Sequence, residues 1–357
     1  MGKNASRFKG VLGVALVFLV GACDGPTGPQ PPAWLEAARF PDGFGVSGLA
    51  AAADGAVYAV GVYSAQPATV FRVSGDGLEV VYSSPYEGGF YSVAVTGAEV
   101  WAAGSKRVAN HSYPYLVHYD GAAWEELDIP ADVPIAVFGT AYAAPGGVVW
   151  FGGGDAVYTY RNGVWRCVFY IGVPDFNRQL SLAVTPGGRA FVASVKDKLP
   201  TVSVSDDGGA SWTDERLAPR YGNYELVFTQ DDLLITAAAE GLVVRATFHE
   251  PTTETDCEGL LMRDDGPPGE GNYTLAFFAP HGPYFYSIDA LAFADADNGY
   301  ALGSLTSVAV RGGEWSMDNV PEWWSPNFKE AAAGPTAYWA VAETYLSQND
   351  ILYRAPR

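Results

Sequence analysis

Seven times along this chain a short polar turn gives way to a run of small and apolar residues built around one large side chain. The runs are Ala56–Gly61, Glu99–Gly104, Val148–Gly153, Arg189–Ser194, Leu233–Ala238, Asn298–Gly303 and Ala337–Ala342. Their central residues are Tyr58, Trp101, Trp150, Phe191, Ile235, Tyr300 and Trp339, which lie 43, 49, 41, 44, 65 and 39 positions apart. Continuous apolar runs of this length predict short strands buried on both faces. A period of about 40–50 residues made of such strands predicts the blades of a β-propeller, four antiparallel strands to a blade.

Naming the strands of a blade a to d, each run is strand b. The residues before it, such as Tyr91–Val95, form strand a, and Gly, Asn and Asp recur in the a–b turn because hairpins need positive φ there. A second hairpin joins c to d. It is clearest in Leu116–Leu127, and four repeats open strand d with a tryptophan: Trp124, Trp165, Trp212 and Trp315. The last repeat supplies a strand c at Asp350–Arg354 and then stops, while Pro32–Phe40 has the Trp-led look of an orphan strand d. Pairing the two leaves no sheet edge bare. The expected fold is therefore all-β: a seven-bladed β-propeller of four-stranded antiparallel blades, its ring closed by the N-terminal strand.

The segments before that strand have another character. Lys3, Arg7 and Lys9 precede an apolar stretch, Val11–Val20, which is too short to span a bilayer as a helix. The stretch ends in Val20-Gly21-Ala22-Cys23, which resembles the bacterial lipobox. By that resemblance residues 1–22 are a lipoprotein signal peptide and Cys23 carries the lipid; an ordinary cleaved signal is the alternative. Residues 23–33 then form a Pro/Gly tether, and residues 34–357 form one propeller domain. The place this predicts is the cell envelope, lipid-anchored on the outer side of the cytoplasmic membrane or in the outer membrane.

Charge narrows the partners. The formal net charge is -19, and loss of residues 1–22 removes three cations and no acid, giving about -22. Such a surface repels phosphate backbones, which excludes nucleic acid. Beyond Cys23 the cysteines are Cys167 and Cys257, an even number in an exported domain, and whether they are bridged stays open. His111, His118, His249 and His281 lack metal-ligand spacing, and Asp295-x-Asp297-Asn298-Gly299 lacks the later glutamate of a calcium loop, so it reads as an a–b turn. No metal and no cofactor are expected.

One turn carries a specific motif. Ser205-Asp206-Asp207-Gly208-Gly209-Ala210-Ser211-Trp212 resembles the Asp-box (BNR) repeat of sialidases, some glucan hydrolases and sorting-receptor propellers. The resemblance implies a structural role at the c–d hairpin for Ser205, Asp207, Gly209 and Trp212. It does not extend to sialidase chemistry, because the Arg-Ile-Pro-like signature of that family is absent. The sixth repeat, Asp295–Gly303 with Gly312-Gly313-Glu314-Trp315, looks like repeats of photosystem II assembly-factor propellers and related exported bacterial proteins.

Function is expected where the repeat breaks. The d–a connections, which in propellers open around the central channel, hold Tyr86, Phe176, Arg178, Arg220, Tyr221, Trp323 and Trp324. Rigid aromatics with polar neighbours suit a sugar ring or a peptide side chain. The segment His249–Phe285 is the one large departure from the period and reads as a long loop or a decorated blade edge. Together these readings predict a membrane-anchored, monomeric binding protein for a protein or carbohydrate partner, a scaffold or assembly factor rather than an enzyme, with no catalytic residue assigned. The alternative is a glycan hydrolase or lyase with paired acids facing each other at the channel mouth.

Overall fold

The computed structural model describes residues 34–357 except 76, 131–132, 134–136, 145, 172–179, 197–198, 222–223, 227–232, 239–240, 251–254, 265, 280–286, 305, 318–326 and 345–346. Cys23 and the tether precede this region. The described residues are all-β, in a propeller arrangement of antiparallel sheets.

Each of the seven apolar runs lies on a strand, but they are not sorted into seven separate four-stranded sheets. Among the described residues hydrogen bonding gives six: four of four strands and two of six. The first six-stranded sheet unites the first two repeats. Its strands Val57–Ser74 and Gly77–Thr96 are 18 and 20 residues long, against 6 for Val148–Gly153. The first half of Gly77–Thr96 pairs with Thr69–Ser74, and its second half pairs with Glu99–Val108. The expected d–a loop Tyr86–Tyr91 is therefore strand. Glycine permits this: a Cβ on Gly104 would stand 2.1 Å from the Gly89 carbonyl oxygen, and one on Gly88 2.2 Å from that of Ser105.

The fifth repeat departs further from expectation. Leu234–Ala238 is not a strand b but the innermost strand of its sheet, and the buried run Leu242-Val243-Val244 in Gly241–Glu250 takes the next place. His249–Phe285, expected as a long loop or a decorated blade edge, mostly supplies the two outer strands Thr255–Arg263 and Tyr273–Ala279. The long interval thus encodes ordinary blade strands of uneven length. A short hairpin, Arg220–Tyr221 with Tyr224–Leu226, adds to the far end of Gly241–Glu250.

Burial and hydrogen bonding join neighbouring repeats. The aromatic of strand b packs across the gap, as Tyr300 on Tyr338 at 5.0 Å and Trp101 on Phe151 at 6.4 Å. Three of the strand d tryptophans meet an aromatic of the preceding repeat's outer strand: Trp124 on Tyr82, Trp212 on Phe169 and Trp315 on Phe277. Inner strands also bond across: Ser47 Oγ donates to the Phe90 carbonyl at 2.8 Å, and Ser92 and Ser181 accept from the amides of Ala141 and Ile235 at 2.8 and 3.0 Å. At the two ends of the chain, Leu35–Arg39 pairs with Ser347–Pro356. There the buried Asp350 accepts from the Val46 amide at 2.6 Å and from Lys329 at 3.1 Å.

Candidate functional site

Two places on this scaffold can receive a ligand: the channel between the innermost strands and the end of the sheets where the b–c turns and d–a connections lie, here called the loop face. The channel encloses about 770 Å³ and is walled by Phe44–Ala51, the second half of Gly77–Thr96, Thr140–Ala144, Ser181–Val184, Leu234–Ala238, Ala290–Asp295 and Asn327–Ala333. Inner strands must lie close together near an axis, so their residues are small: Ala50, Ala94, Ala143, Ala237, Ala294 and Ala333 all face the cavity.

Against that lining a few polar groups stand out. Among the described wall residues the titratable ones are Tyr91, Tyr142, Asp289, Glu330 and Arg357. Three have partners: Tyr91 meets Ser105 at 3.4 Å, Asp289 accepts from Ser287 at 2.5 Å, and Arg357 lies 3.7 Å from Asp295. Glu330 has no hydrogen-bond or charged partner among the described residues, and its residual exposure is to the cavity that it lines. Enclosure pushes its carboxyl up to about 8. Tyr142, on a strand not adjacent to that of Glu330, is pushed up to about 12 by burial and then by the charge of Glu330. The neighbouring Lys329 does not relieve Glu330; its ammonium binds Glu343 at 2.8 Å and Asp350 at 3.1 Å. Strand alternation and a β-bulge between Phe328 and Glu330 set these directions. Bulges fall at matching places, between Val46 and Gly48 and between Phe90 and Ser92. Sequence reasoning missed Glu330, because a bulge shifts the inside–outside alternation without leaving a mark.

On the loop face, Tyr86 is half-buried. Its ring meets that of Tyr115 at 5.9 Å, and the Lys106 ammonium lies 4.7 Å above it and also pairs with Glu126. Tyr82 and Tyr115 share a hydrogen bond of 2.6 Å, and burial followed by that bond raises the Tyr82 phenol. Arg220 is exposed and paired with Glu225, while the Tyr221 hydroxyl accepts from the Ala218 amide at 3.2 Å and its ring packs on Phe248. Tyr86 and the Arg220–Tyr221 pair stand on different sheets. Phe176, Arg178, Trp323 and Trp324 lie outside the described residues. Of the eight exposed large hydrophobic residues among those described, Val62, Val108, Tyr113, Tyr170 and Leu199 sit at b–c turns or at the last residue of a d strand, all at this end.

The remaining motifs are occupied in building turns. Ser205 donates to Asp207 at 2.9 Å and accepts from the Gly209 amide at 2.9 Å; Asp207 also accepts from the Ser211 amide and hydroxyl, at 2.9 and 2.6 Å. Those bonds, the Ser211 hydroxyl first, hold the Asp207 carboxyl down at about 2. Gly208 and Gly209 take φ of 71° and 86°, and Trp212 Nε1 donates to the Val168 carbonyl at 2.6 Å. Asp207 is thus bound into this turn on both sides. Asp295 likewise accepts from the Asp297 amide and the Asn298 side chain at 3.0 and 2.8 Å. Among the described residues no three His, Cys, Asp or Glu side chains are placed to hold a metal, and no helix is long and apolar enough to cross a membrane. Cys167 is a free thiol on an outer strand.

No known protein family matches this chain, and no curated protein does. Its architecture, however, is similar to solved propellers. A structure of YCF48 bound to a D1 peptide aligns with a TM-score of 0.61 at 15% identity, covering 92% of this chain and 99% of that one. The Cps50 (Swd1) β-propeller domain of Myceliophteria thermophila aligns with a TM-score of 0.58 at 11% identity, covering 90% and 99%. At these identities the likeness establishes the β-propeller fold alone.

Proposed function

We propose that this chain is an extracytoplasmic binding propeller, tethered to a membrane of the cell envelope through a lipidated Cys23, which presents its loop face to a protein or glycan partner as a scaffold or assembly factor. The observation that carries this reading is the concentration of exposed hydrophobic side chains at that face: five of the eight in the described chain. Apolar and aromatic side chains gathered at one end of an otherwise strongly acidic molecule suit a partner surface. The YCF48 neighbour, a propeller with a bound peptide, fits the same role.

Seven repeat units closed into a ring are part of the proposal. Its support is that the seven innermost strands neighbour one another in succession, with the last, Asn327–Ala333, against the first, Phe44–Ala51. The pairing of Leu35–Arg39 with Ser347–Pro356 supports closure by the N-terminal strand. The glycan-hydrolase alternative has less support. It calls for acids facing each other across the channel, whereas the two acids in the described wall, Asp289 and Glu330, are carried by neighbouring segments.

The test is capture of partners from the native envelope by the full-length protein. Replacing Val108 and Tyr113 together by Ser should lower recovery of the main cross-linked partner at least tenfold with the thermal unfolding midpoint unchanged. Cys23→Ala should move the protein from the membrane to the soluble fraction. Undiminished capture would overturn the loop-face assignment, and an unmoved C23A protein would overturn the anchor.

A further inference from the structure

A carboxyl group in a channel wall with no partner needs an explanation, because taking a charge out of water costs free energy unless it is paired. Glu330 is such a group. Neither Lys329, engaged with Glu343 and Asp350, nor Arg357, beside Asp295 where the a–b hairpins lie, neutralises it. The phenol of Tyr142 faces the same cavity, also without a hydrogen-bond partner among the described residues, and is close enough for the charge of Glu330 to oppose its ionisation. Both line a cavity of about 770 Å³ whose wall also carries twelve alanines.

From this arrangement we propose that the channel is a binding site for an alkylammonium group, with the Glu330 carboxylate as its counter-ion, the Tyr142 hydroxyl oxygen as a second acceptor and the alanine walls taking the aliphatic stem. The chemistry selects this class. An ammonium has three donors and no acceptor, matching two acceptors with no donor of their own apart from the phenol proton. A methylene stem prefers methyl-lined walls to water. A divalent metal would require several oxygen ligands, and the described residues offer no such cluster. An anion would meet a lone carboxylate. The net charge of -19 also draws cations toward the molecule. This site is separate from the loop face and does not depend on that assignment.

Binding must displace the proton that Glu330 holds near neutrality, so affinity and proton release are linked. Since the free carboxyl titrates at about 8, the bound complex should be about tenfold tighter at pH 9 than at pH 7, while a simple alkylammonium stays largely charged. The experiment is calorimetric titration of the full chain with 1,5-diaminopentane, and in a second arm with a lysine-containing peptide blocked at both ends. Each is run at pH 7 and pH 9, in two buffers of different ionisation heat. The expected result is a single site, with close to one proton released per ligand at pH 7, and loss of at least tenfold in affinity in E330Q. Tighter binding of the diamine identifies a free amine as the ligand; tighter binding of the peptide identifies a lysine side chain of a partner. Equal affinity in E330Q and wild type, binding without proton release, or no binding of either probe would overturn the proposal. Since glutamine keeps the shape of glutamate, an unchanged circular dichroism spectrum separates lost binding from lost folding.

Discussion

The two six-stranded sheets of this propeller arise from opposite causes. In the first, the sequence period is regular, yet two repeats merge because glycines let the connection at Tyr86–Tyr91 lie flat between neighbouring strands. In the fifth, the period breaks by a wide margin, yet the inserted length only completes an ordinary four strands, and the two extra strands come from the separate hairpin of Arg220–Tyr221 and Tyr224–Leu226. Regular spacing therefore hid an unusual sheet, and irregular spacing advertised a conventional one. Spacing counts residues between strands, whereas sheet membership depends on where backbone donors and acceptors come close.

The strongest way to break this comparison lies in the fifth sheet. Arg263 is fully buried and grips Glu215 of the preceding sheet through two bonds of 2.7 Å, while Tyr273 and the Gly269 amide bind the same carboxylate at 2.8 and 2.9 Å. Burial would raise the Glu215 carboxyl, but Arg263 and then Tyr273 outweigh it and hold the group below the usual glutamate range. Arg263→Ala leaves an uncompensated buried carboxylate and should cost about 3–5 kcal/mol, read by denaturant unfolding. If the inserted turn were mere decoration, the loss would fall below 1 kcal/mol.

The first sheet is tested next. Gly104→Val places branched carbons where Gly89 and Phe90 backbone atoms already stand, so it should destabilise by about 2–3 kcal/mol. Hydrogen exchange should show the loss centred on residues 86–107. Exchange spreading evenly over all sheets would refute the local merger.

A separate, pH-dependent effect belongs to the channel, which sharpens the contrast by sitting outside both irregularities. Glu330 titrates at about 8 when folded and at 4.5 when free, so the folded chain holds the extra proton between those values. Stability contributed by this residue is therefore complete below pH 4.5, declines as pH rises, and is gone above pH 8. E330Q should unfold with wild type below pH 4.5 and roughly 5–8 °C higher above pH 8, measured by thermal scans across the range. An E330Q protein that is less stable at high pH would show that the carboxylate has a partner after all.

Legibility in the sequence followed the physics of each feature. The all-β class, the runs at Val148–Gly153 or Asn298–Gly303, and the c–d turns were readable because buried strands need apolar runs and tight turns need residues that tolerate positive φ. Asn162 and Gly163, at φ of 50° and 82°, are such a turn. The Ser205–Trp212 hairpin and the N-terminal strand were readable for the same reason, as local signals with one satisfactory partner. Tyr86, Arg220 and Tyr221, expected in loops, lie on strands of two different sheets.

What tertiary structure alone decided is the assignment of strands to sheets and the lining of the channel. Leu234–Ala238 reads in sequence like every other strand b, and only its contact with the neighbouring inner strands makes it a channel wall. Glu330 sits among alanines with no motif around it; a bulge at Phe328 and the closeness of strands from distant repeats turn it into a lone carboxyl in a cavity. The sequence determines what each strand can bury, since that depends on its own side chains. The charge that the channel leaves unanswered depends on residues hundreds of positions apart, and it exists only once they have met.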